Sequence, residues 1–107
     1  MTMSARVTGF SPTVVHVSGE LDVATAPRLR ACLASIDGDI IVDCSGLEFV
    51  DAAGLSVFVS CRSRCERAGA KFDLENPSEL LMRVLCITGL RESLTNNRAG
   101  GDHDGIG

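Results

Sequence analysis

A chain of 107 residues has room for one domain and one core, and a composition of 45% hydrophobic and 22% charged residues is that of a globular protein, not a disordered one. The net charge of −4 argues against a nucleic-acid face, which needs clustered Lys and Arg. No basic, apolar leader opens the sequence, and no apolar run approaches the roughly 18 residues a membrane span needs, so the expectation is a soluble cytoplasmic protein without membrane insertion.

With no Trp or Tyr and four Phe, the core must rest on Val, Leu, Ile, Ala and Cys. Residues 5–10 form a short first strand, ended by Ser11-Pro12, a pair that suits a hairpin turn. Residues 13–18, with Val14, Val15 and Val17, form a second strand. Gly19-Glu20-Leu21-Asp22 follows as a loop carrying two acids near a strand end. A first helix is predicted over residues 25–36: Pro27 fits its first turn, and Leu29, Cys32, Leu33 and Ile36 make one apolar stripe with Arg28 and Arg30 outside it. Asp37-Gly38 ends it.

Residues 39–44 form a third strand, whose continuous Ile40-Ile41-Val42 run suggests a central strand buried on both faces. A loop, Cys44-Ser45-Gly46-Leu47-Glu48-Phe49-Val50, then leads to Asp51-Ala52-Ala53-Gly54-Leu55, which opens a second helix reaching about residue 67. A strand feeding a helix that begins with small residues leaves backbone N–H groups pointing at the surface, a setting that favours negative charge. Gly54, Phe58, Cys61 and Cys65 share one face of this helix. Arg62, Arg64 and Arg67 crowd its far end, either as a solvated cationic terminus or as a contact for acids on a partner.

Residues 70–74 form a fourth strand after Ala68-Gly69. Asn76-Pro77-Ser78-Glu79 announces a third helix, with Asn76 as its cap, Pro77 at its first position and Glu79 as the capping-box acid. Leu80, Leu81, Val84, Leu85 and Ile87 form its apolar side, Met82 fills core, and Gly89 ends it before a final strand or helix near residues 90–94. Residues 95–107, with four glycines and Ile106 as the one large aliphatic residue, cannot bury enough apolar surface to offset ordering and are expected to be a disordered tail. Strands alternating with helices give an α/β domain over residues 5–94.

Neither catalysis nor a cofactor is expected. The acids Asp22, Asp43, Glu48 and Asp51 fall near one end of the sheet, but no His, Lys or Tyr lies near them in the chain to share acid–base chemistry, and no glycine-rich strand-to-helix turn carries the Lys of a phosphate loop. Five cysteines, an odd number, do not make a disulfide framework. Core packing suits most of them; redox sensing and, for Cys61 and Cys65 one helical turn apart, a pair of metal ligands are the alternatives, although neither His16 nor His103 lies close in sequence to complete a metal site. Asp102-His103-Asp104 sits in the tail and is read as solvated.

The run from Val42-Asp43 through Asp51-Ala52-Ala53-Gly54-Leu55 resembles the central motif of STAS domains, especially bacterial anti-sigma factor antagonists, in which a hydrophobic strand, an Asp and a short loop precede Asp-Ser-Ser/Thr-Gly-Leu. Gly19-Glu20-Leu21-Asp22, Pro77 and Thr88-Gly89-Leu90 resemble further pieces of the same family pattern. The resemblance implies a single STAS domain: a four- or five-stranded mixed sheet flanked by three to four helices. It also implies a protein-interaction role, binding an anti-sigma factor that in the family is also a serine-protein kinase of the GHKL type, and so freeing a sigma factor. The implied contact residues are Glu20, Asp22, Ser45, Gly46, Asp51, Ala52, Ala53, Gly54, Leu55 and Ser56. Ala53 stands where the family carries its phosphorylated Ser or Thr, so the resemblance implies docking without covalent switching. Two other roles fit the same resemblance: an accessory subunit of a lipid-transport ATP-binding-cassette complex, and a scaffold component of a stress-signalling assembly.

Overall fold

The computed structural model describes residues 3–9 and 12–95. In chain order the elements are β1 (Met3–Thr8), β2 (Thr13–Leu21), α1 (Ala26–Ala34), β3 (Ile40–Val50), α2 (Ala52–Arg67), β4 (Phe72–Glu75), α3 (Glu79–Thr88) and α4 (Arg91–Leu94). This is the expected alternation, closing on a helix. The strands form one four-stranded mixed sheet in the order β1-β2-β3-β4. β1 pairs antiparallel to β2, whereas β2–β3 and β3–β4 are parallel, because α1 and α2 carry the chain back between them.

Alternation sorts the strand residues onto two faces. Val15, Val17, Leu21, Ile40, Val42, Cys44, Leu47, Phe72 and Leu74 join one core with Leu29 and Leu33 of α1, Val57, Phe58, Cys61 and Cys65 of α2, Leu81 and Leu85 of α3, and Leu94 of α4. Phe58 and Phe72, both fully buried, meet with ring centroids 6.4 Å apart. Each large side chain so buried contributes about 1.5–3 kcal/mol. The other face is polar over much of its area, with Ser4, Arg6, His16, Ser18 and Asp43 upon it; Ile41 is buried outside the main core. Burial of β3 on both faces therefore holds at Ile40-Ile41-Val42 and gives way at Asp43, which is partly exposed.

Both long strands outrun their expected ends. Gly19, Glu20 and Leu21 continue β2, and residues 44–50 continue β3, because the parallel pairing runs on to Leu21 opposite Val50. Two register shifts, between the His16 and Ser18 pairs and between the Gly19 and Glu20 pairs, each place an extra residue on β3; such bulges let Gly- and Ser-containing segments stay in a sheet where regular alternation fails. At the third helix the cap is Ser78, whose hydroxyl accepts from Leu81 N at 3.0 Å, and not Asn76. Asn76 adopts a left-handed φ of 55° and turns its amide to Asp43 instead. Leu80 and Ile87 are 56% and 77% exposed, so the apolar side of α3 is narrower than its sequence suggests. Thr95, expected in the tail, is buried, its hydroxyl donating to Arg91 O at 2.6 Å. The remaining tail, including Asp102, His103 and Asp104, lies outside the described residues.

Arg64 reaches from α2 to the end of α1, donating to Leu33 O at 2.6 Å and Ile36 O at 3.3 Å. It neither dangles in solvent nor waits for a partner: it bonds carbonyls at and just beyond the C-terminal end of α1, where Leu33 O also accepts from Ile36 N at 3.2 Å. Arg62 pairs with Glu66 at 3.2 Å, and Arg67 is exposed. Among the described residues no helix is long and apolar enough to cross a membrane.

Candidate partner-docking surface

At the carboxyl end of β2 and β3 two turns lie side by side. The Asp51 N–H donates to Leu21 O at 3.1 Å, which fastens the β3–α2 turn to the β2–α1 turn. Asp51 is extended and caps α2: its Oδ1 accepts from Ala53 N at 2.9 Å and Gly54 N at 3.1 Å. The N–H groups expected to be open to an anion are thus already taken at Ala53 and Gly54 by the protein's own carboxylate. Asp22 does the same for its turn. Its Oδ1 accepts from Ala24 N at 3.0 Å and Thr25 N at 3.1 Å, while the Thr25 hydroxyl donates to Glu20 O and accepts from Asp22 N, both at 2.9 Å.

These bonds decide which of the expected contact residues a partner could touch. Asp22, only 7% exposed, is spent on its own turn, and Gly54 and Leu55 are buried; all three shape the surface from beneath. A Cβ on Gly54 would stand 2.7 Å from Leu21 Cγ, so packing against β2 requires its smallness. Gly46 is similar: a Cβ there would lie 2.8 Å from Ser18 Cβ across the sheet. Ala52 and Ser56 are exposed, and Glu20, Asp51 and Ala53 are partly so; these five share the end of the sheet. Ser45 and Gly46 are exposed but set back along β3 on the polar face. The Ser56 hydroxyl makes no hydrogen bond among the described residues. Val23, 74% exposed on the Asp22 turn, lies beside these residues and is not among those the sequence points to. Its signal there was slight, a lone β-branched residue between an acid and small residues.

The polar face holds an arrangement that linear spacing hid. Parallel register sets His16 opposite Asp43, and His16 Nδ1 lies 2.9 Å from Asp43 Oδ2, with His16 Nε2 3.2 Å from Thr8 Oγ1. Asn76 Nδ2 donates to Asp43 Oδ1 at 3.0 Å, and Ser45 donates its N–H to the same oxygen. The Asn76 amide above all, together with His16 and Ser45 and against the effect of burial, holds the Asp43 carboxyl well below the usual carboxylate range. The network ties β1, β2, β3 and the end of β4 together.

Cys44, Cys61 and Cys65 are buried, Cys32 is half-buried and Cys86 is exposed. Burial pushes the thiols of Cys44 and Cys61 up to about 12, with neighbouring Asp43 and Cys65 adding to it respectively. Among the described residues no group of three or more His, Cys, Asp or Glu side chains could hold a metal ion.

Residues 3–99 match the STAS domain model. Over 81 residues the chain is 37% identical to the anti-sigma-B factor antagonist of Bacillus subtilis (strain 168), a match covering 73% of this chain and 74% of that one. Its fold is similar to the crystal structure of an anti-sigma factor antagonist from Mycobacterium paratuberculosis, with a TM-score of 0.71 at 24% identity over 87% of this chain and 83% of that one. It is likewise similar to the Bacillus cell fate determinant SpoIIAA in its phosphorylated form, with a TM-score of 0.70 at 22% identity over 92% and 96% of the two chains.

Proposed function

The chain belongs to the STAS domain family, and on that footing we propose that it is a cytoplasmic anti-sigma factor antagonist, a binding protein that takes up an anti-sigma factor and so frees a sigma factor. The observation that carries this reading is the Asp51-capped turn, which holds Ala52, Ala53 and Ser56 beside Glu20 and Val23 as a small, mostly uncharged surface. Small side chains and an exposed aliphatic residue suit contact with another protein. The similarity to the Bacillus subtilis antagonist supports the class of partner.

The same geometry supports docking that phosphorylation at the usual place does not switch. A phosphate there would add a charge of about −1.5 to −2 and considerable bulk at the centre of the surface. Ala53 offers a methyl group. A partner that is also a serine-protein kinase would bind this chain as a permanently unmodified antagonist.

The test is direct. The full chain is used as bait, the captured protein is identified by mass spectrometry, and the chain is then added to that protein's purified complex with its sigma factor, with and without ATP. Release of free sigma factor on gel filtration, with the mass of the chain unchanged by ATP, is the expected result. A sigma factor that stays bound removes the antagonist reading; a phosphate on Ser45 or Ser56 removes the unswitched one.

A further inference from the structure

β4 leaves β3 early. It pairs only with Ile40–Asp43, and beyond Glu75 it cannot continue, because Asn76 turns the backbone into the left-handed region and Pro77 has no N–H to offer. From residue 44 to residue 50 β3 is therefore bonded to β2 along one edge, and its opposite edge has no backbone partner among the described residues. α3 runs past that open edge. Between them is a groove of about 210 Å³, floored by buried Leu47 and Leu81 and walled by Phe49, Leu80 and Val84, with Phe49 44% exposed. Glu48 is its charged lining residue.

We propose that this groove docks an extended peptide segment of a partner protein, in which apolar side chains alternate with Lys or Arg. An unpaired strand edge bonds best to another extended backbone, which satisfies main-chain groups on both sides. The pleat of such a strand sends every second side chain to one face, and here that face meets the apolar floor and the α3 wall. The volume is below the roughly 300 Å³ at which small-molecule sites begin, and it suits one or two side chains. Charge selects the rest: Glu48, the charged residue lining the groove and exposed, complements cations in the intervening positions. The bulges in β3 keep the addition short. The groove shares no residue with the surface around Ala53, so its occupant can differ from the partner proposed above.

The experiment pans a phage-displayed library of random ten-residue peptides against the full chain, then maps the best synthetic peptide by amide chemical shifts. Enriched peptides should alternate apolar residues with Lys or Arg, and the shifts should fall on residues 45–50 and 78–87. N-methylation of alternate peptide amides, which removes hydrogen bonding while keeping the side chains, should weaken binding by about tenfold or more. Leu80→Asp should do the same, and Ala53→Asp should leave affinity unchanged. Should Leu80→Asp fail to fold, Glu48→Lys, at an exposed position, serves in its place. Failure of any peptide to enrich, enrichment of acidic peptides, shifts located elsewhere, indifference to N-methylation, or self-association of the chain through this groove would each overturn the proposal.

Discussion

Gly54 stands so close to Leu21 that a Cβ on the glycine would come within 2.7 Å of Leu21 Cγ and 2.9 Å of its Cδ2, with Val50 Cγ1 at 3.1 Å. Leu21 is completely buried and has nowhere to swing. Gly54→Ala should therefore lower stability. Overpacking of this kind costs about 1–3 kcal/mol, against a helix-propensity gain of about 1 kcal/mol. Urea unfolding monitored by circular dichroism measures the balance; a midpoint equal to or above that of the parent protein would show that the close approach is not binding on the fold.

Ala53→Asp probes the proposed docking surface. Ala53 lies in the first turn of α2, where an acid is tolerated or mildly stabilising by about 0.3–1 kcal/mol, a gain reduced here by the neighbouring Asp51 carboxylate. The fold should persist while affinity for the captured partner drops more than about tenfold, or 1.4 kcal/mol. Ala53→Ser should keep binding. Titration calorimetry decides, and unchanged affinity in a folded Ala53→Asp protein would move the interface elsewhere.

Asp43 sets the acid limb of the stability profile. Its folded-state carboxyl is depressed below the ordinary value of 3.8, so its contribution is present in full above the unfolded value and is lost as pH falls through the lower, folded one. Between neutral pH and about pH 4 that contribution should stay level, then decline on further acidification. Asp43→Asn should flatten the decline, and Asn76→Ala, by removing the amide that does most to lower the carboxyl, should make it shallower. Urea midpoints collected from pH 2 to pH 7 test both; a decline of equal steepness in all three proteins would contradict this account.

The thiols should divide by accessibility. In the native protein at pH 8, Cys86 should react quickly with a thiol reagent and Cys32 more slowly. Cys44, Cys61 and Cys65 should react only on unfolding, since burial hinders access to all three and keeps Cys44 and Cys61 protonated far above that pH. Mass spectrometry of timed labelling reads each site. Fast native labelling of Cys61 or Cys65 would favour a redox role for that pair.

Periodicity carried the element order well, because the Val-rich strand, the Leu29–Leu33 stripe and the apolar α2 face follow from backbone geometry that neighbours in sequence share. It failed where tertiary pairing overrode local pattern. Residues 44–50 look like loop, with Ser, Gly and Glu among them, yet pairing to β2 and two bulges make them strand. Asp22 looked like a free surface acid until its turn showed the carboxylate turned inward on Ala24 and Thr25. His16 and Asp43, 27 positions apart, meet only once the parallel register is known. Asn76 and Ser78 are both residue types that cap helices, and the left-handed backbone at Asn76 together with the Ser78 hydroxyl bond to Leu81 N separates them.

The bond from Asp51 N–H to Leu21 O bears on the speed of recognition as well as on shape. With each turn closed by its own aspartate and the two fastened to each other, the surface proposed for docking is held in one shape before any partner arrives. Little ordering entropy is then left to offset on association, which favours affinity from a small contact area. Encounter and orientation, not a refolding step, would limit the rate of capture. A binding protein of the proposed kind, built this way, would compete through promptness, with no ordering step between encounter and capture.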